Sequence, residues 1–78
     1  MEHLRIVLAQ LVSALGGPAA ACARWAVGRS TLFGWLKGRH PPSLPALQRI
    51  LVTLPMGDRY RIFQAIEADA EAAARTTP

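Results

Sequence analysis

The groups able to do chemistry in this chain are concentrated in one stretch, GRSTLFGWLKGRHPPS, residues 28 to 43. Arg29, Lys37, Arg39 and His40 supply nitrogen donors there, Ser30, Thr31 and Ser43 supply hydroxyls, and no carboxylate interrupts them. Such a set is suited to binding anionic oxygens, because guanidinium and ammonium groups donate several hydrogen bonds and accept none. The surrounding charge points the same way. Residues 1 to 57 carry six Arg or Lys against Glu2 alone, a net of +5, whereas residues 58 to 78 carry three against four, a net of −1. A polyanionic partner fits this distribution, although charge alone does not separate DNA from RNA or an acidic membrane surface. Arg outnumbers Lys eight to one, which favours planar bidentate donors and is equally explained by genomic base composition.

Catalysis is not expected from this inventory. There is no Ser-His-Asp set, no paired carboxylates in a plausible cleft and no glycine-rich phosphate loop after a strand, and His3 and His40 stand 37 positions apart. Nor are a cofactor or a metal expected, because Cys22 has no His, Asp or Cys at a ligand spacing. As the only cysteine, Cys22 rules out an intrachain disulfide. The apolar run Ile6 to Leu15, followed by small residues up to Cys22, superficially looks like an export signal. Glu2 offsets Arg5 in its would-be positive region, and Gln10 interrupts it. No stretch approaches the roughly 18 apolar residues of a membrane span, so a cytoplasmic location with no membrane partner is expected.

The elements that must position these donors read as helices. Leu4, Leu8, Leu11, Val12 and Leu15 recur at helical spacing over residues 2–15, and Gly16-Gly17 end the run. Pro18 suits a first helical position and opens a helix over about 18–26. A third helix covers 29–37 between Gly28 and Gly38. At about 100° per residue, its Leu32, Trp35 and Leu36 share one arc and Arg29, Ser30, Phe33, Gly34 and Lys37 the other. Ser43 is a candidate N-cap for a fourth helix, about 44–54, with Leu47, Ile50, Leu51 and Leu54 in a stripe. Pro55, Gly57 and Asp58 read as a turn before a fifth helix, about 59–74, that presents Ile62, Phe63 and Ile66. Residues 75–78 are expected to fray. The chain is thus read as one all-α domain, residues 1–78. Trp25, Trp35 and Cys22 are expected in its core, and Glu67, Asp69 and Glu71 on a solvated face.

From Leu11 to Leu54 the chain resembles the Cro and phage-repressor family of helix-turn-helix regulators. The match rests on Val27, Ser30, Thr31, Leu32, Trp35, Gly38, Arg39, His40, Pro42 and Ser43, with Cys22 in the small position of the first motif helix. The resemblance implies a five-helix lambda-repressor-like domain that lays residues 29–37 in the major groove of double-stranded DNA. Arg29, Ser30, Phe33, Gly34 and Lys37 would then face base edges. Gly28, Thr31, Arg39, His40 and Ser43 would face phosphates. The chain departs from the family pattern at three positions: Ala26 stands at a turn usually held by Gly, Pro18 replaces a frequent Gln, and Gly34 replaces a long polar residue.

Two function classes follow. The first is a small transcriptional repressor that occupies an operator. One short reading helix is a thin basis for specificity, so a symmetric homodimer through the fifth helix is expected, with Tyr60, Ile62, Phe63 and Ile66 at its interface. The second is a module of the same fold that grips a protein partner through Phe33, Gly34 and Leu36.

Overall fold

The computed structural model describes residues 1–76 and contains five helices and, among those residues, no strand. They are α1 (Glu2–Leu15), α2 (Pro18–Trp25), α3 (Arg29–Leu36), α4 (Leu44–Val52) and α5 (Met56–Thr76). Local chemistry accounts for the breaks. Gly16 takes the left-handed conformation at φ 105°, and the amides of Gly16 and Gly17 return to Ser13 O and Val12 O. That closes α1 with a motif that satisfies its free carbonyls. Pro18 then opens α2 at a position where no amide hydrogen is needed. The two helices meet at 99°. Ser43 caps α4 as expected, its Oγ accepting from Ala46 N at 3.3 Å.

The ends of three helices differ from the sequence reading by one or two residues. α2 stops at Trp25 because Ala26 is left-handed, α3 stops at Leu36 and α4 at Val52. The start of α5 is the larger difference. It begins at Met56 instead of Arg59, with Pro55 O accepting from the amides of Asp58 and Arg59, both at 3.1 Å. The sequence reads Gly57 and Asp58 as turn residues, but Asp58 is also favourable in a first helical turn, where it meets the positive end of the helix dipole. At the other end, Arg75 and Thr76 continue the helix where fraying was expected. The rest of the expected frayed tail, 77 and 78, lies outside the described residues.

The core collects Leu4, Leu8, Leu11 and Val12 from α1, Ala21 and Trp25 from α2, and Leu32 and Trp35 from α3. Ala46 and Ile50 join from α4, then Leu54, and Ile62 and Ala65 from α5. Both tryptophans are buried as expected, and Cys22 is half-buried against the same cluster. α1 packs most extensively along α5 and also meets α2 and α3. The full burial of Ile62, at 0 % exposure, corrects its expected place at a dimer interface. On α5 it points at the monomer core, with Ala65 one turn on.

Asp69 is the second correction. Expected on a solvated face, its side chain is only 13 % exposed and reaches from α5 to the start of α1. It accepts from His3 N at 2.8 Å, Leu4 N at 3.0 Å and His3 Nδ1 at 3.0 Å. Met1 offers α1 no side-chain cap of its own. Asp69 supplies one from 66 positions away in sequence. Burial raises its pKa and is the largest single influence. The His3 and Leu4 amides, the His3 ring and the chain's amino group act against it, and the net position is below the usual 3.8.

Candidate nucleic-acid interface

Building the site starts with the turn between α2 and α3. Ala26 holds φ 55° and ψ 49°, whereas Gly28 is extended at φ −76° and ψ 157°. The strained residue is therefore the alanine, and the glycine is spent on an ordinary conformation. A left-handed alanine costs roughly 1 to 2 kcal/mol. Its amide does not carry the bend alone, since Val27 N also returns to Cys22 O at 3.1 Å. The result aims the N-terminus of α3 outward beside the loop that leads to α4.

Between the starts of α3 and α4 lies a groove of about 360 Å³, lined by Gly28, Thr31, His40, Ser43 and Arg49 together with Ala26, Val27, Trp35, Pro41 and Ala46. Four of the five residues expected to face phosphates, Gly28, Thr31, His40 and Ser43, are thus gathered at one place. Arg39, the fifth, is exposed on the same loop but outside the groove wall. Arg49 takes a place there that the sequence reading did not assign. Its Nε donates to Trp25 O at 3.2 Å, which anchors the guanidinium to the end of α2. Its position on the polar side of α4, within the carboxylate-free part of the chain, was the signal available.

Arg29, Ser30 and Phe33 on α3 and Lys37 at its C-cap are all exposed, and Phe33 keeps 39 % of its surface. Gly34 is different. It was expected on the same outward arc, but it is buried because the His40 ring lies over it. The base-contact assignment of Gly34 is corrected accordingly.

The electrostatic pattern is sharper in three dimensions than in sequence. Arg5 pairs with Glu2, Arg61 with Asp58 at 3.5 Å and Arg75 with Glu71 at 3.8 Å. Arg24, Arg29, Lys37, Arg39 and Arg49, all in or between α2 and α4, have no carboxylate partner among the described residues. Every carboxylate of the chain sits at the start of α1 or on α5. Arg59 on α5 also lacks a carboxylate partner but donates its Nε to Leu54 O at 2.9 Å, so most cations without a carboxylate partner lie between the start of α2 and the end of α4.

Elsewhere, α5 carries an exposed apolar stripe of Met56, Tyr60 and Phe63, at 77 %, 62 % and 49 % exposure. Ile66 is half-buried against the core. No helix among the described residues is long and apolar enough to cross a membrane. Comparison of the chain with protein-family models, with curated proteins and with solved structures gave no match.

Proposed function

We propose that this chain is a sequence-specific double-stranded DNA-binding regulator, a small repressor with a lambda-repressor-like helix-turn-helix, in which α3 enters the major groove. The observation that carries the reading is the set of five cations without carboxylate partners, Arg24, Arg29, Lys37, Arg39 and Arg49, on the elements that flank α3. Cations left without carboxylate partners favour a polyanion, because each phosphate they neutralise releases condensed counterions. In this reading Arg29, Ser30, Phe33 and Lys37 face base edges, and Arg29 takes a guanine through its paired donors. Gly28, Thr31, His40, Ser43 and Arg49 hold one phosphate at the groove, where free amides at the start of α3 add to the side-chain donors. Arg39 meets a neighbouring phosphate.

The chain acts as a symmetric dimer in the same reading, with a second copy covering the stripe of Met56, Tyr60 and Phe63. Exposed apolar side chains at i, i+4 and i+7 form a continuous seam on α5, and a two-fold partner doubles the bases read. The operator is then an inverted repeat with half-site centres about 10 base pairs apart or a multiple of that.

A second reading is favoured by one observation. Phe33 keeps 39 % of its surface exposed on the outward face of α3, an apolar anchor of the kind a protein-binding module would present. Mobility shift on genomic fragments, including the region upstream of the chain's own coding sequence, separates the two. A fragment retained against excess random DNA supports the repressor, and uniform weak binding to all fragments refutes it. Sedimentation of the unmodified chain and of Phe63→Glu tests the dimer, which a monomer both free and on DNA would rule out.

A further inference from the structure

Gly34 is an unfavourable residue for the interior of an eight-residue helix, costing about 1 kcal/mol of propensity against Ala, and the sequence offers no turn there to excuse it. The structure supplies a reason. A Cβ at position 34 would lie 2.8 Å from His40 Cε1 and 2.9 Å from Cδ2, and nearer still to Nε2. The imidazole therefore stands with its Nε2 apex against the bare Cα of Gly34. His40 is itself part of the wall of the groove, together with Thr31, Ser43 and Arg49. His40 makes no hydrogen bond among the described residues, so the ring is held at the groove by packing on Gly34 and not by a polar partner. The loop is tied at the same point, because Arg39 N donates to Gly34 O at 2.9 Å.

We infer that Gly34 is a socket for His40, a positioning residue whose missing side chain lets the imidazole present its Nδ1–H to a duplex phosphate oxygen in the groove. The inference rests on the DNA-binding reading above. It also separates from it, since the socket exists in the free protein. Any side chain at 34 expels the ring from the groove while leaving the helix intact or improved. Gly34 then affects affinity only through His40.

The test uses the full chain, a random-sequence duplex at low salt and four proteins: unmodified, Gly34→Ala, His40→Ala and the double variant. In the free unmodified protein, nuclear Overhauser contacts are expected between the His40 ring protons and the Gly34 Hα protons. Gly34→Ala should melt at the same temperature as the unmodified protein or higher. It should weaken duplex binding roughly ten- to a hundredfold, the worth of one hydrogen bond to an anion. His40→Ala, a change in an exposed loop that threatens no core contact, should give the same loss. The double variant should lose no more than either. Losses that multiply would mean Gly34 meets DNA directly and would overturn the socket, as would undiminished binding by either single variant. If the unmodified chain binds no duplex, the DNA reading falls and the donor role of His40 with it. Missing ring contacts in the free protein would overturn the socket whatever the binding result.

Discussion

Replacing Asp69 by Ala removes a carboxylate that holds two ends of the chain together. The side chain accepts from two α1 amides, His3 N at 2.8 Å and Leu4 N at 3.0 Å, and from the His3 ring. Loss of an N-cap typically costs about 0.5 to 2 kcal/mol, and a hydrogen bond to a charged group contributes about 1.5 to 3 kcal/mol. Leu4 is buried, so its amide is poorly placed to find water once the cap is gone. A loss of about 2 kcal/mol is therefore expected at neutral pH. For a domain of this size that lowers the melting temperature by roughly 8 to 16 °C. The pH dependence carries the sharper test. The carboxyl is held below its usual 3.8 in the folded protein, so its contribution is complete above the unfolded value. It declines as the pH falls through the folded value, where protonation removes the charge that strengthens the cap. The difference between unmodified and Asp69→Ala protein, followed by circular dichroism, should be constant near neutrality and shrink in the acid range below 3.8. Other carboxylates titrate in both proteins and cancel in the difference. Equal melting temperatures at neutral pH would refute the cap, and a difference that persists undiminished in acid would refute its ionic character.

Trp35→Ala deletes a side chain that is 1 % exposed and should cost about 3 to 5 kcal/mol, much of the stability of a small domain. A melting temperature within error of the unmodified protein would show that α3 is packed in another register. Ala26→Gly relieves the left-handed turn residue and should stabilise by up to about 1 kcal/mol, because relief of strain is partly offset by a more flexible unfolded chain. Destabilisation in urea titration would contradict that turn geometry. Arg29→Ala should cost about 1 to 3 kcal/mol on the specific site and relax preference at one base pair. Arg39→Ala should weaken all duplexes alike and flatten the slope of log affinity against log salt by about one unit. Identical behaviour of the two variants on specific and random DNA would refute the division between base and phosphate contacts.

The helix breaks at Gly16-Gly17 and Gly38, the Ser43 cap, the buried tryptophans and the segregation of charge were all legible from residue types, because each depends on local backbone chemistry or on periodicity. Arg49 was less so. Its charge was visible, but its place beside Ser43 and His40 depends on how α4 packs against the end of α2. The turn was legible only as Ala26 standing where Gly is usual, and nothing local says that the alanine itself takes the left-handed strain.

Three facts belong to the tertiary structure alone. Ile62 and Phe63 are both large apolar neighbours, and only the docking of α5 on α1 decides that Ile62 enters the core and Phe63 stays outside. Asp69 looks like any carboxylate on a helix surface until the fold brings the uncapped start of α1 to it. Gly34 reads as a weak point in a helix until the loop folds back and lays His40 across it. A sequence encodes such pairs through contacts between residues far apart along the chain, or on separate elements, and hydrophobic period and local propensity carry no information about which surfaces will meet.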